Sequence, residues 1–213
     1  RQVMNKTNSE LRKIARNALD NRWGSSVLVV LVYYLITSSV PLGTTVMGCD
    51  SPLFDLWSLL CLPLGWGFSV YFLSVSRDEE TGFSLLFSGY KDFVRIFFTY
   101  LLQILYIFLW SLLLVIPGII KSLSYAMTPY VLRDSPDLKY DAAITESMRL
   151  MDGHKMKLFL LLLSFIGWAL LCLLTFGVGF LLLSPYMQTS IALFYDDLVK
   201  EDRESSSFAS VES

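Results

Sequence analysis

The chain has 213 residues, of which 54% are hydrophobic, 15% aromatic and 17% charged, with a formal net charge of −2. A water-soluble domain carries about 25% charged residues, so this composition excludes a disordered chain and a nucleic-acid-binding one, and makes a lipid bilayer the expected solvent. The 17 Lys and Arg are placed very unevenly, and their placement says more than the net charge.

The chain opens with a polar, basic segment, residues 1–24, that lacks the apolar stretch and small-residue cleavage site of a secretory leader. Its start is therefore expected to stay on the side of synthesis. Thr7 and Glu10 stand at capping-box spacing, and Leu11, Ile14, Ala15, Ala18 and Leu19 share one helical face, with Arg12, Lys13 and Arg16 on the rest. That pattern predicts an amphipathic helix lying at a membrane interface, apolar face toward the headgroup boundary and basic face toward anionic lipid. A membrane domain is expected over 25–198, organised by charge-free runs. A hairpin over about 25–76 has its arms separated by Pro41-Leu42-Gly43 through Asp50-Ser51-Pro52. A short interfacial turn over about 83–88 precedes a second hairpin, about 93–132, with its reversal at Pro117-Gly118. The return arm, 119–132, is short for a full crossing and is expected to be tilted or re-entrant.

A third amphipathic helix is predicted over about 136–152, started by Ser135-Pro136 and lining up Tyr140, Ile144, Met148 and Met151. The last run, Leu158 to Tyr195, has 38 residues, about 57 Å of helix against a hydrocarbon core of about 30 Å, so it must fold back. Gly177 and Gly179 mark the reversal of this third hairpin, about 157–197. The acidic, Ser-rich end, 199–213, reads as a disordered tail. Asn21, Gly89 and Gly153 are expected to close the three lead-in helices as left-handed C-caps, each followed by a cation (Arg22, Lys91, Lys155), which suggests an internal repeat. The predicted fold class is all-α: a polytopic membrane helix bundle with six transmembrane segments as three hairpins, each preceded by a cytoplasmic interfacial amphipathic helix.

Orientation follows from charge. Sixteen of the 17 Lys and Arg flank the hairpins on one side, and only Lys121 falls on the other. Because cytoplasmic flanks are enriched in these residues, both termini are expected in the cytoplasm and the hairpin tips outside. Cys61 and Cys172 lie in apolar runs and Cys49 lies alone in a loop, so no disulfide framework, metal site or cofactor is indicated. His154, the one histidine, is flanked by Lys155 and Lys157 and reads as a headgroup-level residue rather than a base. The acids Asp78-Glu79-Glu80 and Asp196-Asp197 read as solvated helix ends. Catalytic residues are accordingly not assigned.

An ammonium within an apolar stretch is costly and marks a pathway or a partner, which makes Lys121 the sharpest candidate. Its nearness to the Pro117-Gly118 turn favours snorkelling to the outer headgroups or structural pairing over a ligand-facing role. The candidate ligand-binding set is Lys121, Asp55, Tyr125, Gln103 and Gln188, with Asp55 the nearest carboxylate by depth. Pro117, Pro129 and Pro185 interrupt helices, and broken helices expose backbone groups to a cavity. The glutamines equally suit bonds between helices.

The stretch Phe108-Leu109-Trp110-Ser111-Leu112-Leu113-Leu114-Val115-Ile116-Pro117-Gly118-Ile119-Ile120-Lys121, continued by Ser124-Tyr125-Ala126-Met127 and Asp134-Ser135-Pro136-Asp137, resembles a bacterial integral membrane family known as domain of unknown function 975. Ala143-Ile144, Ser147-Met148, Met151, Gly153-His154-Lys155, Leu158-Phe159 and Pro185-Tyr186 extend the resemblance over Glu10 to Asp197. Met156 departs from it, standing where an aromatic is expected. The resemblance implies a bacterial cytoplasmic (inner) membrane location and no particular activity. Three function classes follow, in order of preference: permease-like or lipid and small-ligand handling within the membrane, a membrane scaffold, and a membrane enzyme. The expected partners are membrane lipids with anionic headgroups at the cytoplasmic face, with no protein partner indicated.

Overall fold

The computed structural model describes residues 6–20, 22–47, 57, 60–113, 115–138, 140–174 and 178–211. Every regular element among them is helical. In chain order these are α1 (Asn8–Leu19), α2 (Trp23–Met47), α3 (Leu62–Ser76), a 3-10 helix (Phe83–Tyr90), α4 (Phe93–Leu113), α5 (Val115–Tyr125), α6 (Thr128–Asp134), α7 (Asp141–Leu150), α8 (Lys155–Leu174) and α9 (Val178–Val211).

The capping box forms as the sequence requires: the Glu10 amide donates to the Thr7 hydroxyl, and the Thr7 amide donates to Glu10 Oε2 at 2.7 Å. Two of the donors orphaned at a helix start are thereby satisfied. The apolar face of α1 is not turned to lipid, however. Leu11, Ala15 and Leu19 are fully buried against α9, α3 and α8, so protein covers the face expected at the headgroups, and the basic side remains outward. Amphipathicity fixes which face is covered, not what covers it.

Helix α3 is the centre of the bundle, buried from Trp66 to Val75 except at Ser69. Small residues let helix backbones approach one another closely. Here glycine supplies the closeness: a Cβ at Gly67 would collide with the Leu86 carbonyl, and one at Gly89 with the Pro63 carbonyl. These reciprocal contacts seat the 3-10 helix on α3, so Gly89 is a packing glycine and not the left-handed cap the pattern predicts. Gly153, at φ +82°, does adopt that conformation; Asn21 lies outside the described residues. One core joins α1, α3, α6, α7, α8 and α9 around Met127, Tyr130 and Phe194. A second joins the end of α1 to α2, α3 and the 3-10 helix, where Tyr33 stacks on Phe68 with ring centroids 4.4 Å apart.

Several predicted boundaries move. Helix α4 ends at Leu113 and α5 starts at Val115, so Pro117-Gly118 lie inside a helix and do not form the reversal of the second hairpin. Pro117 sits in the first turn of α5, where a missing N–H costs nothing, and Gly118 lets α5 approach Ser111 closely. The arm 119–132 is a broken one: α5 ends at Tyr125 and α6 starts at Thr128 with Pro129 in its first turn. The helix expected over 136–152 begins only at Asp141, preceded by Tyr140 at φ 49°, so Ser135-Pro136 does not cap it. Helices α8 and α9 are separated by residues 175–177, and Gly179 lies inside α9; Gly177 is outside the described residues. Finally, α9 continues as helix to Val211 through most of the segment composition marks as disordered.

Among the described residues, Phe93–Ser111 is long and apolar enough to cross a membrane, with 11% of it buried. Asp141–Leu150 with Lys155–Leu170 passes only as a pair bent by 86°, and Trp23–Ser38 and Leu62–Ser76 are shorter apolar helices. Length and composition thus support one or two spans, not six.

Candidate functional site

The break between α5 and α6 creates the first polar locus. The last carbonyls of a helix have no intrahelical donors, and here side chains from three elements supply them. Thr128 Oγ1 (2.7 Å) and Gln103 Nε2 (3.3 Å) donate to the Tyr125 carbonyl, and Ser147 Oγ donates to the Ser124 carbonyl at 2.8 Å. Nearby, the Tyr106 hydroxyl donates to Asp141 at 3.0 Å. Gln103 and Tyr125 are thus brought together, with Gln103 Oε1 buried and unbonded. Lys121 Nζ stands 4.9 Å from the Trp110 ring centroid and 3.8 Å from Met148 Sδ, a cation–π arrangement.

Two expectations about this locus change. Lys121 touches α7, a segment the charge pattern placed across the membrane from it. The cause is the capped break, which docks the end of α5 on Ser147. Asp55, its expected counter-charge, lies outside the described residues. Gln188 is on α9, whose main neighbours are α1, α2, α3 and α8, away from the α4–α5 pair. Pro129 contributes its carbonyl, which accepts from the buried Trp66 indole at 3.0 Å. Pro185 lies inside α9, its carbonyl accepting the Thr189 hydroxyl at 2.8 Å.

The second locus was not legible as a site. Arg77, just past α3, makes a two-pronged pair with Asp134 (2.8 and 2.6 Å) and also donates to Asp196 Oδ1 from Nε (2.9 Å) and Nη2 (2.7 Å). The Tyr195 hydroxyl adds a bond to Asp134 at 3.1 Å, and its ring stacks on Tyr130. Burial pushes the Asp134 carboxyl up, but the Arg77 guanidinium wins and holds it below its ordinary value; Asp134 and Asp196 in turn hold Arg77 firmly protonated. Around this triad, Arg133 pairs with Glu79, Arg149 with Asp202 (2.7 Å), Lys6 with Asp197 (3.8 Å) and Arg22 with Asp78 (2.8 Å). His154 Nε2 lies 3.5 Å from Glu201, with Nδ1 buried and unbonded. The acids read as solvated are therefore mostly engaged: Asp196 and Asp197 are largely buried, while Asp78 stays open to solvent. The available signal was that each of the three predicted hairpins ends in charges of both signs.

One cavity borders the Arg77 locus, and another lies apart from both loci. One, of about 600 Å³, is polar and lined by Lys6, Arg77, Asp134, Asp196, Lys200 and Arg203. The other, of about 440 Å³, is almost wholly apolar, between Trp23, Trp168, Cys172, Gly179 and Tyr186, with Arg16 in its wall. Large apolar side chains are exposed along α2 (Leu28, Leu35), α4 (Phe98, Leu105, Phe108) and α8 (Leu163, Ile166, Leu170), Phe108 and Leu170 each by 62%. Among the described residues no cluster of His, Cys, Asp or Glu is arranged to hold a metal ion.

The family described as Protein of unknown function (DUF975) matches the chain over residues 4–121 and 112–202. No curated protein and no solved structure matches it.

Proposed function

This chain belongs to the DUF975 family, and we propose that it is a multi-pass membrane protein that binds a lipidic or small anionic ligand within the bilayer, without catalysing a reaction. The observation that carries this reading is the belt of exposed apolar side chains on α2, α4 and α8. Exposed patches of that extent on a water-soluble monomer would drive aggregation; in lipid they are the expected outer surface. In this reading the α2–α3 and α8–α9 pairs cross as hairpins, and α4–α5 enters as a third, oblique one, giving six inserted arms. A hairpin returns whatever its depth, so both termini lie on the face that holds the cations, the cytoplasmic face of a bacterial inner membrane. The gathering of Arg77, Arg133 and Arg149 with their acids in one ion-paired layer supports a common face for the three pairs.

Binding is preferred to catalysis because the charged groups tie helices to one another: Arg77 joins α3 to α6 and α9, and Arg149 joins α7 to α9. One observation favours the scaffold alternative. The centre of the bundle is filled by side chains such as Tyr71, Phe72, Tyr130 and Phe194, which suits a lateral binding surface better than a central passage.

Impermeant thiol labelling of Cys49 tests the topology in intact cells producing a Cys61→Ser/Cys172→Ser variant. Labelling before lysis is the expected result. A thiol that reacts only after lysis overturns the arrangement.

A further inference from the structure

We infer that the apolar cavity beside α1 is a binding site for one anionic phospholipid, with its phosphate at Arg16 and an acyl chain along Trp168, Cys172 and Gly179. The inference rests on the membrane reading above and gives it a ligand class.

The groove has a direction. Its Arg16 and Trp23 end is the corner where α1 passes into α2, and Arg22, in that corner, is tied to Asp78 at 2.8 Å. Asp78 follows Arg77 at the end of α3, so this end of the groove opens at the ion-paired layer. The other end, at Cys172 and Gly179, lies beside the reversal between α8 and α9, the far end of that hairpin. A cation and an indole at the polar end and hydrocarbon beyond it match a phospholipid laid along the bilayer normal, because indoles favour the headgroup level. The volume, about 440 Å³, falls in the range of ligand cavities.

Charge complementarity selects the headgroup. Arg16 is exposed on the outward side of α1, with Arg12 one turn earlier and Lys13 beside it, while the apolar face of the helix is committed to the core. A phosphate accepts from a guanidinium in charge-assisted bonds that a zwitterionic headgroup, carrying its own cation, partly satisfies for itself. The side walls continue into the exposed apolar surface at Leu182 and Trp168, so a lipid enters laterally from the bilayer.

The test uses the full chain released from its membrane in mild detergent and offered equal amounts of phosphatidylglycerol and phosphatidylcholine, with retained lipid read by native mass spectrometry. Phosphatidylglycerol is expected to be retained about tenfold over phosphatidylcholine, the difference one charge-assisted contact supplies. Arg16→Glu should abolish that preference and Arg16→Lys should keep most of it, whereas Gly179→Leu, which fills the groove, should lower retention of both lipids. Lys200→Glu, in the polar cavity, should leave the preference intact. Equal retention of the two lipids, an unchanged preference in Arg16→Glu, or displacement of the lipid by inorganic phosphate would each overturn the site; the last would mark a soluble anion as the ligand. Failure of the membrane reading looks different: the chain would leave the membrane fraction on alkaline washing.

Discussion

The end of the molecule around Arg77 and the flank formed by α4 solve opposite problems. At Arg77, charge is drawn inward: the guanidinium and its two carboxylates are each at most 27% exposed and bond to one another across three helices. Along α4, apolar groups are turned outward, with Val94, Phe98, Leu105 and Phe108 all exposed and, among its described side chains, Ile96 and Thr99 the fully buried exceptions. A protein surrounded by water would reverse both choices. On the membrane reading proposed above, the outer surface is matched to lipid, while fixed geometry comes from a ring of ion pairs at one end.

The largest effect should come from breaking the ring. Arg77→Ala leaves Asp134 and Asp196 facing each other without a cation and should cost about 3 kcal/mol, the penalty of an uncompensated, part-buried charge. A fall in the thermal midpoint of the detergent-solubilised protein reads this, and Asp134→Asn added to it should recover part of the loss. A similar but smaller penalty is expected on the flank. Leu105→Asp should lower membrane integration by about 2–3 kcal/mol in an insertion assay; unchanged integration would mean that α4 does not face lipid.

How far these two regions were legible in the sequence differs for a physical reason. The helical class, the capping box and the apolar runs are local, written within a turn or two of the chain. The Arg77 triad joins positions 57 and 119 residues apart, and nothing within 20 residues of Asp196 announces its partner. Lys121 shows a second limit. Charge placement assigned it to the far face, but the capped break at Tyr125 docks its helix on α7, a contact no hydropathy pattern carries. Pro117 shows a third: a proline fits the first turn of a helix as well as it fits a loop, and here it stands inside α5.

Acid sharpens the comparison further. Because Asp134 is held below its ordinary 3.8 in the folded protein, its contribution to stability is complete above that value and is lost as pH falls through the depressed one. Unfolding midpoints followed down the pH scale should therefore drop only in strongly acidic solution. In Arg77→Gln the main influence holding Asp134 down is gone, and the Tyr195 hydroxyl and Arg133 alone oppose burial, so acidification should destabilise less through this group. The smallest effect is expected at Asp78, whose side chain is 93% exposed beside Arg22. Asp78→Asn, which still tolerates the φ of 57° at this position, should change stability by no more than about 0.5 kcal/mol, and a larger change would show that the ring extends further than its buried members.

Helix α9 runs unbroken for 34 residues, about 51 Å. It carries Pro185 among buried neighbours near its start, Asp196 in the ring, and Glu201 and Asp202 where His154 and Arg149 grip it. The rod is thus fastened along its length, by apolar packing in its first half and by ion pairs from Asp196 to Asp202, and residues 203–207 stand exposed beyond the last fastening.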